Sequence, residues 1–128
     1  MTVTLTHILS GAAAPGIYRL RSRARPSSLA SQLARAGWRT VQLDGRVVAD
    51  KRSFLAAAAA ALGFPAYFGH NWDAFEECLR GLEPGGAGLV LLYDDFRQFA
   101  QAQPGEWATA RAILADAAAQ IPLVVLLR

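Results

Sequence analysis

LGFPAYFGHNWDAFEECLRGL, residues 62–82, holds a helix stop, an aromatic turn, a helix start and a second helix stop in one short stretch. Gly63 is placed to end a preceding helix, Asn71, the chain's single Asn, sits where an N-cap oxygen is wanted, and Gly81 sits at the C′ position of the next helix. At roughly 100° per residue, Trp72, Phe75, Cys78 and Leu79 fall on one side and Asp73, Glu76, Glu77 and Arg80 on the other. Asp73 suits the first turn through the macrodipole, and Glu76 can pair with Arg80 at i, i+4. Glu77 has neither support, and its i, i+4 repulsion with Asp73 costs about 0.2–0.5 kcal/mol in an isolated helix.

Working outward, WRTVQLDG (38–45) reads as a strand closing on a DG turn. Asp50 can cap a helix whose Phe54, Leu55, Ala58 and Leu62 form a core stripe. Downstream, LVLLYDD reads as a buried strand, followed by a short helix from Asp95 to about Gln101, a helix from about Gly105 to Gln120, and the strand PLVVLLR. Towards the N-terminus, IYRLR (17–21) alternates like a half-buried or edge strand, and a helix follows with Pro26, Ser27 and Ser28 at its start, Leu29 and Leu33 on one face and Gly37 at its end. Strands alternating with helices predict an α/β fold, a small parallel sheet packed with helices, and right-handed crossovers.

The 128 residues suffice for a single domain, and 53% apolar composition supplies a core. Residues 1–37 read as an N-terminal strand-helix extension and 38–128 as the core. One cysteine, Cys78, excludes an internal disulfide and a cysteine-based zinc cage, which fits a cytoplasmic location. No signal-peptide pattern is present at the N-terminus, and the longest apolar run, FLAAAAAALGF (54–64), has eleven residues against the roughly 20 needed to span a bilayer. The net charge of +3 is unevenly spread: nine Arg and Lys face two Asp up to Arg52, whereas four Arg face eight carboxylates from Ser53 onward. Two faces or two partners are implied.

Residues 62–82 resemble the signature of the barstar family, the small cytoplasmic inhibitors of barnase-type ribonucleases, in the order Leu, Pro, paired aromatics, Gly, Asn, Asp-Ala, Phe, acid, Cys-Leu and Gly. LDGRVVADKRSFLAAAAAALG upstream and VLLYDDFRQF and IPLVVLLR downstream resemble the family's remaining elements, so the likeness runs from about Val41 to Leu127. It implies a barstar-like fold and a non-enzymatic chain that needs no cofactor or metal. The implied activity is occlusion of a cognate ribonuclease or related toxin by the acidic helix and the loop before it, in an immunity or antitoxin role.

Carried over by position, the interface is Tyr67, Gly69, Asn71, Asp73, Glu77, Gly81 and Leu82, with Phe68, His70 and Glu76 beside them. Asp73 and Glu77 would imitate RNA phosphates, Tyr67 and Phe68 would pack on the nuclease rim, and Asn71 would hold the loop-helix junction; Tyr67 reads equally as core. The partner would be an extracellular-type bacterial ribonuclease or ribonuclease toxin, and no membrane is involved. The barnase–barstar pair itself illustrates electrostatically steered association. Several positions depart from the family pattern. Glu77 stands where the best-known member has Asp, Glu76 and Leu82 stand at tryptophan positions, and His70 replaces an acid. Of a supporting Glu pair only Asp116 remains in the last helix.

Other chemistries fit less well. His70 and Cys78 lie eight residues apart, about 12 Å of helical rise, too far for a nucleophile-base pair, and the thiol reads as buried. His70, Asp73 and Glu77 have converging spacings but no second ligand cluster. GGAG (85–88) precedes a strand instead of linking a strand to a helix, so it reads as a turn and not a phosphate loop. RLRSRAR puts Arg19, Arg21, Arg23 and Arg25 at every second position, the basis of an alternative reading as a nucleic-acid-binding or general interaction module. The stretch lacks interleaved aromatics, so it reads first as a solvated strand edge, where charge also discourages edge-to-edge pairing.

Overall fold

A computed structural model describes residues 1–65, 68–84 and 86–128. Five parallel strands, β1 (Thr2–Val3), β2 (Gly16–Leu20), β3 (Trp38–Asp44), β4 (Gly88–Asp94) and β5 (Leu123–Leu127), form one sheet in the order β1-β2-β5-β4-β3. The helices are α1 (Leu5–Leu9), α2 (Pro26–Arg35), α3 (Lys51–Leu62), α4 (Trp72–Arg80), α5 (Arg97–Ala102) and α6 (Pro104–Ala118). The predicted mixed α/β architecture with a small parallel sheet is the one observed.

Direction of travel along the sheet accounts for the layers. The chain moves one way from β1 through β2 to β3, then reverses through β4 to β5. Crossovers of one hand then place α1 and α2 on one face and α3 to α6 on the other. Side-chain alternation matches: Val90, Leu92, Val124 and Leu126 pack with Leu29 and Leu33 of α2, while Leu89, Leu91, Tyr93, Leu123, Val125 and Leu127 pack with α3, α4 and α6. β4 and β5 are covered on both faces, which is why they read as unbroken apolar runs.

The caps are local and match the sequence. Asp50 Oδ1 accepts from Ser53 N–H at 2.8 Å in a reciprocal capping box, and Gly63 ends α3 in the left-handed region at φ 69°. At the end of β3, Asp44 accepts from Arg46 N–H, and Gly45 lies so close to the Asp94 and Asp95 carbonyls that a Cβ would collide with them.

Two expectations need correction. β2 is not an edge strand, because β1 pairs with its outer side, with Thr2 opposite Arg19 and Val3 opposite Leu20. Sequence periodicity missed β1 and α1, since two residues cannot show a period and α1 spans barely more than one turn. Gly81 ends α4 at φ −87°, outside the left-handed conformation its position suggested.

Candidate functional site: an acidic helix beside an apolar groove

Asn71 builds the entry to α4. Its Oδ1 accepts from Ala74 N–H at 2.8 Å and its Nδ2 donates to Gly69 O at 3.2 Å, so one side chain caps the helix and clasps the loop. His70 takes a positive φ of 48°, and the Phe68 carbonyl accepts from its Nδ1–H at 3.0 Å. The His70 ring lies 4.9 Å from that of Phe68.

Phe68 corrects the sequence reading. Its ring is only 6% exposed and packs 5.2 Å from Phe64, so it chiefly anchors the loop to the core, and what little of it is exposed lines the groove beside α4. Burying an aromatic ring under a loop that must hold its shape is worth more to the fold than an exposed contact would be. Tyr67, the other proposed rim residue, lies outside the described residues.

Along α4, Phe75 and Leu79 are buried, and Asp73, Glu77 and Arg80 are exposed. Glu76 is half-buried and pairs with Arg80 at 3.2 Å, the expected i, i+4 bridge, so its charge is already compensated. Trp72 Nε1 donates to Glu106 Oε2 at 2.9 Å, and the Lys51 ammonium sits 5.6 Å from its ring, which ties the helix start to α6 and α3. Sequence reading missed Glu106, 34 residues from Trp72, because no local pattern links them.

Glu77 lies at the wall of a groove of about 570 Å³ between the loop and α4. Phe64, Pro65, Phe68, Ala74, Cys78 and Leu82 supply its other side chains, and Gly69 and Gly81 open its rim. Among the described residues, Glu77 is the one charged group lining it, and Asp73 lies outside it. The tertiary structure thus separates two carboxylates that share a helical face. Cys78 is half-buried and lines the same groove, a correction to its reading as a buried thiol. Burial, and then the Glu77 charge, push that thiol's pKa up, which disfavours the thiolate a nucleophile needs.

A second cleft, of about 410 Å³, opens at the carboxyl ends of β3 and β4, where α/β sheets commonly take ligands. Two of its three carboxylates are engaged: Asp44 by Arg46 at 2.9 Å, and Asp94 by Arg128 in a two-pronged pair at 2.7 and 2.9 Å. In the groove beside α4, by contrast, no ion pair among the described residues engages the one carboxylate, Glu77.

Residues 38–126 match the family model described as Barstar (barnase inhibitor), a segment that takes in α4, its loop and the whole groove. The chain belongs to the barstar family. Barstar-family membership covers β3 to β5 and α3 to α6, whereas β1, α1, β2 and α2 precede the matched segment. Curated proteins offer no match to the chain. No helix among the described residues is long and apolar enough to cross a membrane.

Proposed function

We propose that this barstar-family chain is a non-catalytic inhibitor that occludes the active site of a barnase-type ribonuclease or related toxin with α4 and the loop before it. The observation that carries the reading is Glu77, an exposed carboxylate on the wall of an otherwise apolar groove. A ribonuclease concentrates Arg, Lys and His around the scissile phosphate, so an opposed carboxylate is attracted to it and takes the phosphate's place. Asp73, exposed one turn earlier, adds to the same field. Gly69 and Gly81 leave the rim without side chains, Leu82 offers apolar contact, and His70 and Asn71 hold the loop. Cytoplasmic action, protecting the producing cell from its own nuclease, follows from that role.

Titration of a barnase-type ribonuclease with the full chain, read by cleavage of a labelled RNA, tests the proposal. Stoichiometric loss of activity supports it. Full activity retained with excess wild-type chain across a panel of such enzymes would overturn it.

A further inference from the structure

Where the fold employs an arginine, it gives the guanidinium an acceptor: Arg46 pairs with Asp44, Arg80 with Glu76 and Arg128 with Asp94, and Arg39 donates to the Glu83 carbonyl at 2.8 Å. Arg19 departs from that pattern. It is half-buried in β2, its guanidinium lies 4.9 Å from the Phe96 ring centroid, and among the described residues it forms no ion pair. Partial burial strips water from a charge, and a ring face replaces only part of what is lost. The cation–π contact also consumes none of the N–H donors, which lie in the guanidinium plane.

Arg19 lines a cavity of about 210 Å³ between β2 and α6. Trp107 and Arg111, one turn apart on the same face of α6, line its other side. Arg111 is exposed and, among the described residues, also lacks an ion pair. No carboxylate among the described residues lines the cavity, and Glu106, beside Trp107 in sequence, is engaged by Trp72 of α4. Two like charges facing one small space repel, and an anion between them removes that repulsion.

We propose that this cavity binds a tetrahedral oxyanion, inorganic phosphate or the phosphoryl group of a small phosphomonoester, held by Arg19 and Arg111. Size and donor geometry select the class. Pockets for drug-sized molecules begin at about 300 Å³, so this space suits a small group and excludes a nucleoside. A carboxylate is planar and is satisfied by the two-pronged bond of one guanidinium, whereas the oxygens of a phosphate point in several directions and accept from forks on separate elements at once. α6 keeps the site apart from the α4 groove, since Glu106 reaches Trp72 whereas Trp107 and Arg111 face β2. Arg19 precedes residue 38, so the pair of arginines is not contained in the segment that matches the family model.

Isothermal titration calorimetry of the full chain with sodium phosphate and with glycerol phosphate, ionic strength held by sodium chloride, is the test. A saturable one-to-one site is the expected result; tighter binding of inorganic phosphate assigns the free ion, and tighter binding of glycerol phosphate assigns a phosphomonoester. Arg111→Gln should weaken that binding about tenfold or more, through loss of a charge-assisted pair. Arg21→Gln removes the same charge from a position that does not line the cavity and should change the affinity by less than about twofold. Both positions are exposed, so the melting temperature without phosphate should hold in each variant, as should any inhibition of a ribonuclease. No saturable binding at millimolar phosphate would overturn the proposal. Equal losses in Arg111→Gln and Arg21→Gln would reduce the binding to net charge and overturn it, and acetate binding as tightly as phosphate would overturn the assignment to a tetrahedral oxyanion.

Discussion

Trp72 and Glu106 join the first turns of α4 and α6 through one hydrogen bond, Nε1–H to Oε2 at 2.9 Å. Both side chains are half-buried, and the acceptor is a carboxylate, so the bond belongs to the stronger, charge-assisted kind. Glu106→Ala should lower stability in urea unfolding by about 1.5–3 kcal/mol. Glu106→Gln keeps an acceptor and should cost less than half as much. Equal losses would show that the bond contributes little beyond packing.

The two faces of α4 make separable predictions. Glu77→Lys alters an exposed residue and should leave stability within about 0.5 kcal/mol, while inhibition of the ribonuclease is abolished. Phe75 is fully buried against Phe54 and Phe64, and Phe75→Ala should cost about 3–5 kcal/mol. Thermal melts alongside inhibition assays check both. If both variants unfold alike, the acidic face is structural. Association measured by stopped flow should slow steeply with added salt.

Gly81 and Gly45 should respond in opposite ways to alanine. A Cβ at Gly81 meets nothing closer than the Cys78 carbonyl at 3.7 Å, and its φ of −87° suits any residue. Gly81→Ala should therefore raise stability by about 0.4–1 kcal/mol through the unfolded chain, yet weaken inhibition by crowding the groove rim. Gly45→Ala drives a methyl into the Asp94 and Asp95 carbonyls and should cost about 1–3 kcal/mol or more. Unfolding midpoints and inhibition constants of the two variants settle the comparison.

Stability should fall in acid. Bonds from the Ser53 backbone N–H and then its hydroxyl hold the Asp50 pKa below the usual carboxylate value, and the Arg46 side chain and then its backbone N–H do the same for Asp44. A depressed folded-state pKa gives stability that is fully present above the unfolded value and lost as pH falls through the folded one. The decline should therefore begin near about pH 4 and steepen below it. Asp50→Asn keeps the capping oxygen without the titration and should flatten that decline in a pH series of chemical unfolding.

By itself the sequence determined what neighbours along the chain can settle. The Asp50 and Asn71 caps, the Gly63 stop, the Glu76–Arg80 bridge and the two sides of α4 all depend on groups within four residues of one another, whose geometry a helix imposes directly. The parallel sheet was legible because strand and helix patterns alternate, and the family because an ordered motif fills one short stretch. Tertiary structure alone decided the rest. It buried Phe68, set Glu77 on the groove wall and Asp73 off it, joined Trp72 to Glu106, covered β2 with β1, and brought Phe96 and Trp107 up to Arg19 of β2. The physical reason is that each of these outcomes follows from how separate elements pack. The sheet's reversal of direction and the competition for buried area govern that packing, and no local periodicity encodes either.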